Sequence, residues 1–149
     1  MTDTNRMESA KSSYLRDPVT NGNPREQALI RRWWHEQHDA RGCLVWEYPL
    51  CGRWLDAIWF PESQDHGVEY SGRDLPKRFP LNDVVVVLCE AKVKLTPEVV
   101  GQALVHTFFV QRAGASIRHT TVFAETGAPD MVCAAADLGL ELVLQARVT

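Results

Sequence analysis

The stretch that decides the fold is Val84-Val85-Val86-Val87-Leu88-Cys89-Glu90-Ala91-Lys92. Five of its first six residues are valine or leucine, and it holds neither glycine nor proline. Such a run predicts a strand buried on both faces, because β-branched side chains suit a crowded pleated sheet. Glu90 and Lys92 stand two apart at its end, so strand alternation points both from one face. A carboxylate and an ammonium at the end of a central strand are costly unless they pair or hold an ion.

Working outward, the chain reads as one domain. Its 149 residues suffice for a core of their own. Hydrophobic residues make up 45% and charged residues 23%, ordinary for a globular protein. The net charge of -3 excludes binding to nucleic acid through bulk charge, so any such contact must use a local patch. No apolar run approaches the roughly 18–20 residues of a membrane span, and the polar N-terminus lacks the apolar core of a secretory signal. Cys43, Cys51, Cys89 and Cys133 are scattered, two of them in apolar runs. They read as reduced core or near-core thiols of a cytoplasmic protein.

Residues 1–22 read as a flexible arm and 23–149 as the folded domain. Asn23-Pro24 is a helix start, with Asn as cap and Pro in the first turn. This helix is expected to run to about Ala40, where Arg41-Gly42 stops it. Leu29, Ile30 and Trp33 form its apolar stripe, and Glu26 lies on the same side. Cys43–Pro49 and Arg53–Phe60 read as two strands joined by a turn at Cys51-Gly52. Residues 61–82 are polar and rich in proline and glycine, an inserted loop with room for a short piece of structure. After the opening strand, Thr96-Pro97-Glu98 starts a second helix that ends near Arg112. Then come a strand over 117–124, a short helix over 130–138 and a last strand over 140–144. The order α-β-β-β-α-β-α-β predicts an α/β domain, with a mixed central sheet covered by helices on both faces.

Four elements bring chemistry toward the opening strand. The first helix offers Glu26, the second strand Asp56, the strand end Glu90 and Lys92, and the following helix Gln102, with His106 one turn later. Carboxylates on neighbouring strands can converge on one hard cation, since Mg²⁺ takes oxygen ligands and keeps several waters. A nearby lysine can stabilise charge on a phosphate or position a water. These are the parts of metal-assisted phosphodiester hydrolysis.

An Asp, then Glu-x-Lys at the end of the next strand, flanked by a helix with Glu and a helix with Gln, resembles the PD-(D/E)XK nuclease superfamily. The resemblance, to Holliday-junction resolvase-type members among others, covers about residues 24–145. It implies a restriction-endonuclease-like three-layer α-β-α fold and a nuclease that hydrolyses phosphodiester bonds in DNA. It implies Asp56 and Glu90 as metal ligands with Glu26 in support, Lys92 as the catalytic lysine and Gln102 as the polar residue of the following helix. The cofactor expected is Mg²⁺, with Mn²⁺ able to substitute. Arg25, Arg31, Arg32, Arg73, Lys77 and Arg78 are the candidates for phosphate contacts. A homodimer is expected, as in many small members.

Leu55 stands where the family commonly has proline before the aspartate, and the long separation of Asp56 from Glu90 requires an enlarged connection. Glu36 competes with Glu26 as the first-helix acid; the shared stripe favours Glu26. Plainer readings stand beside these. Glu90 and Lys92 could be a solvated pair at a strand end. Asp56 could be satisfied by a turn or by Arg53. Lone histidines such as His106 and His119 are more often core or surface residues. The five tryptophans are core by default and otherwise a base-stacking or subunit surface. A catalytically inactive member of the fold, acting as a nucleic-acid-binding or protein-assembly module, is the alternative function.

Overall fold

The computed structural model describes residues 22–73 and 79–147. The arm expected over 1–22, save Gly22, lies outside the described residues, as do Lys77 and Arg78. The described elements run in chain order α1 (Pro24–His38), β1 (Cys43–Leu50), β2 (Arg53–Phe60), β3 (Val68–Ser71), β4 (Val85–Ala91), α2 (Pro97–Arg112), β5 (Ser116–Ala124), α3 (Pro129–Asp137) and β6 (Glu141–Leu144). They form one mixed sheet of six strands, ordered β3-β1-β2-β4-β5-β6. β1 with β2 and β2 with β4 are antiparallel, while β1 with β3, β4 with β5 and β5 with β6 are parallel.

The expected order gains one element, β3, which arises inside the 61–82 insertion. Only four residues long, it lies at the sheet edge beside β1. Glu69 secures it. Its Oε1 accepts from the Trp46 indole at 2.7 Å and from Arg31 Nε at 2.9 Å, so one carboxylate joins β3, β1 and α1.

α1 covers one face of the sheet. Leu29, Ile30, Trp33 and Trp34 pack there on Leu44, Trp46, Ala57, Trp59, Val87, Cys89, Ala91 and Phe123. The Trp33 ring meets Phe123 and Trp59 edge-on, with centroids 5.0 and 5.5 Å apart. Truncating such an aromatic in a core costs about 3–5 kcal/mol. α2 and α3 cover the other face through Val99, Val100, Ala103, Val110 and Ala135. The arrangement is a three-layer α/β domain.

β4 is buried along nearly its whole length, and its alternation is clean. Val87, Cys89 and Ala91 face α1, while Val86 and Leu88 face the α2 side. α1 ends at His38, two residues earlier than expected, because Asp39 and Ala40 adopt left-handed φ values of 51° and 49°. The Trp34 and Trp59 indoles both donate to the Arg41 carbonyl, at 2.9 and 2.6 Å, which ties this exit to β2. Gly42 follows with φ 68°, and a Cβ there would lie 2.1 Å from the Phe60 carbonyl oxygen, so only glycine fits. Cys51 and Gly52 have φ values of 53° and 71°, the pair of positive values a two-residue hairpin turn requires.

Cys43 and Cys89 are core thiols, whereas Cys51 and Cys133 are exposed. Among the described residues no helix is long and apolar enough to cross a membrane.

Candidate functional site

The hairpin of β1 and β2 carries a local fault that shapes the site. Trp46 faces α1, but Tyr48 joins the cluster on the opposite face; likewise Ala57 faces α1 and Leu55 does not. The switch falls at Glu47, whose φ is 51°, and at Asp56 across from it. The pairing register does not change through it: Trp46 meets Ala57 and Tyr48 meets Leu55. A strictly alternating strand could not place its side chains this way.

On its other side β2 pairs with β4 up to Ala57 opposite Cys89. One step further along that register sets Asp56 against Glu90. The ladder stops there, so the amide of Ala91 is left without a strand partner. Asp56 Oδ2 accepts from it at 2.8 Å. The aspartate is therefore held by the end of the strand that carries Glu90.

Glu90 continues the alternation of Val86 and Leu88 toward α2. It is 1% exposed, and its Oε1 lies 2.5 Å from Nδ1 of His106, also 1% exposed. Its Oε2 is buried and has no hydrogen-bond partner among the described residues. Burial first, and then the charge of Glu90, raise the Asp56 carboxyl from its ordinary range to about 7, against the opposing hydrogen bond from Ala91. Burial likewise raises Glu90 to about 7, partly offset by its contacts with Asp56 and by the charge of Lys92. His106 moves the other way. Burial and then the positive charge of Arg53 hold it below its usual value.

Lys92 lies one residue beyond β4 and is exposed, with its amide donating to the Phe123 carbonyl at 2.9 Å. Its charge acts on Glu26, Asp56 and Glu90 alike. Glu26 sits in the first turn of α1, and burial raises its carboxyl, with Lys92 opposing and Asp56 adding to the rise. Glu26, Asp56 and Ala91 line one cleft of about 110 Å³, together with Asn23, Ile30, Trp46, Glu47 and Trp54. Glu36 is elsewhere: it is exposed and paired with Arg32 at 3.2 Å. Gln102 lies one turn before His106 on α2, half-buried.

Asp56 thus stands between Glu26, with which it shares the cleft, and Glu90, which turns toward α2, while the charge of Lys92 acts on all three. The structure engages the three arginines of α1 otherwise. Arg25 grips both oxygens of Glu125, at 2.5 and 2.9 Å. Arg31 is bound to Glu69 and lies over the Trp46 ring at 5.1 Å, and Arg32 is paired with Glu36. Each would have to exchange an internal acid for a phosphate. Sequence reasoning missed the Glu90–His106 contact and the fault at Glu47. The spacing of Gln102 and His106 by one helical turn was the signal for the first, and nothing local signals the second.

Asp56 and Glu90 are oxygen donors, the ligand type a hard divalent cation takes. They are two opposed carboxyls, one with an unpartnered buried oxygen, and their mutual repulsion would be relieved by positive charge. Among the described residues no group of three His, Cys, Asp or Glu is gathered closely enough to hold a metal ion. The remaining positions would fall to water, which Mg²⁺ ordinarily keeps. Comparison of the chain with protein-family models, with curated proteins and with solved structures returned no match.

Proposed function

We propose that this chain is a divalent-metal-dependent nuclease of the restriction-endonuclease-like, PD-(D/E)XK type, which hydrolyses phosphodiester bonds in DNA. The observation that carries the reading is the opposition of Asp56 and Glu90 on adjacent strands, both held above the ordinary carboxylate range. Two desolvated carboxyls side by side are a liability to folding, and a cation between them turns that liability into binding.

Asp56 and Glu90 would hold Mg²⁺ or Mn²⁺, and Glu26 would stand beside them through water. When bound, such an ion supplies a Lewis acid that polarises a phosphate and makes a water more acidic. The chain's own residues do the rest. The Ala91 amide fixes the Asp56 carboxyl, His106 fixes Glu90, and Lys92 brings positive charge to the phosphate and orients the attacking water. Gln102, one turn before His106, offers a neutral polar group from the same helix.

The test incubates the protein with plasmid, single-stranded and branched DNA in Mg²⁺ or Mn²⁺. Cutting is expected, and Lys92→Ala and Asp56→Asn should reduce it by at least two orders of magnitude, about the contribution of a positioned charge or proton carrier. If no DNA is cut, or if both variants cut as the wild type does, the reading fails.

A second reading is an inactive member of the same fold that binds nucleic acid or assembles with protein, as a homodimer or otherwise. It is favoured by the pairing of Arg25, Arg31 and Arg32 with internal acids. A titration with Mn²⁺ separates the two, since a retired site need not bind metal.

A further inference from the structure

Four of the five tryptophans are buried: Trp33, Trp34, Trp46 and Trp59 are at most 5% exposed. Trp54 is 45% exposed, although it sits in β2 two residues before Asp56. Among the described residues it joins none of the three buried clusters. Nor is it loose. The Arg73 guanidinium lies over its ring, 4.2 Å from the centroid. Arg73 is in turn gripped by Glu47, whose side chain is 9% exposed. Glu47 is the left-handed residue of the strand fault, across from Asp56. The residue at the fault thus holds the arginine that steadies the indole and lies across from the acid of the candidate site.

Trp54 also lines the cleft that Asp56 and Glu26 line. Two residues of extended strand span about 6.7 Å, close to the reach of one nucleotide in an extended single strand. A phosphate at Asp56 and Lys92 would thus leave the neighbouring base beside the indole. Every base has a π face that can stack on an aromatic ring, and a cationic guanidinium adds to that platform. Within a continuous duplex those faces are covered by neighbouring bases.

We infer that Trp54, backed by Arg73 and Glu47, is a stacking platform for an unpaired nucleobase next to the phosphate that Lys92 draws to the Asp56 end of β2. The inference rests on the nuclease reading for the identity of that phosphate. It names the substrate class: DNA that is single-stranded or splayed at the site of attack.

The test is done in EDTA, where metal-dependent cutting cannot occur, so it is independent of catalysis. A short oligodeoxythymidine and a duplex of the same length are titrated against the protein while tryptophan emission is followed. The single strand should quench the emission of the exposed indole, and the duplex should not. Trp54→Ala should weaken single-strand binding about 10- to 100-fold, and Trp54→Phe should keep most of it. Melting curves of the three proteins should coincide, since the side chain is exposed. The inference is overturned if Trp54→Ala binds as the wild type does, if the duplex quenches equally, if neither DNA binds, or if acrylamide shows Trp54 shielded by a second copy of the chain. Loss of cutting with stacking intact would fault the nuclease reading alone.

Discussion

His106 and Glu90 are each 1% exposed, and Nδ1 lies 2.5 Å from Oε1. Either the neutral ring donates to the carboxylate or the protonated carboxyl donates to the bare nitrogen. The plain reading of a lone histidine, that it is satisfied in the core, describes the contact; the partner is what gives it consequence. His106→Ala would take the imidazole partner from the buried Glu90 Oε1 and open a cavity beside it. A loss of about 3–5 kcal/mol in unfolding free energy is expected in urea titrations, against about 1 kcal/mol or less for the exposed Glu36→Ala. The carboxyls also set a pH dependence. Asp56 and Glu90 are raised to about 7, so between about pH 4 and about pH 7 the folded chain binds more protons than the unfolded one. Their contribution is therefore fully present near pH 4 and is lost as pH rises through about 7. His106 and His38, both lowered, act in the opposite sense as pH rises toward their ordinary value. The difference between wild type and Asp56→Asn removes the histidine background. Asp56→Asn should gain stability relative to wild type as pH rises across that window, and a difference that stays flat would refute the raised pair.

The first turn of α1 carries Glu26 to the cleft, and its geometry depends on a cap. Asn23 Oδ1 accepts from the Arg25 amide at 2.9 Å, and Pro24 occupies the first helical position. Asn23→Ala should cost about 1 kcal/mol in denaturant unfolding. It should also weaken divalent-ion affinity less than Glu26→Ala does, since the turn frays rather than losing its acid. Both the cap and the strand end were legible, because capping residues and hydrophobic runs act over a few residues of chain. β3 was not. Val68-Glu69-Tyr70-Ser71 is too short to declare a period, and what makes it a strand is parallel pairing with β1 and the Glu69 bridge to Trp46 and Arg31. The fault at Glu47 was illegible for a related reason. A glutamate in the left-handed region has no sequence mark, and it is held there by tertiary contacts with Arg73 and the face change at Tyr48.

For the molecule as a whole, the layering follows from composition along the chain. A strand buried on both faces demands cover on both, and three helices supply it. That much could be read from Val84–Leu88 and from the helix starts at Asn23-Pro24 and Thr96-Pro97. The convergence of Asp56 with Glu90 could not be read from periodicity, because it depends on where the β2–β4 ladder stops. The pairing of the α1 arginines was only partly legible: Arg32 meets Glu36 one helical turn on, but Arg25 and Arg31 meet Glu125 and Glu69, far away in the chain. What the fold builds at one sheet end is a pair of opposed, desolvated carboxyls, and the claim that they are a metal site is the one on which function turns. Calorimetric titration of Mn²⁺ into the protein above about pH 7, where both carboxyls are ionised, tests it most directly. Binding that releases few protons there, and that is abolished by Asp56→Asn and by Glu90→Gln in proteins that remain folded, is the predicted result. No heat of binding in the wild type, or binding that survives both substitutions, would contradict it.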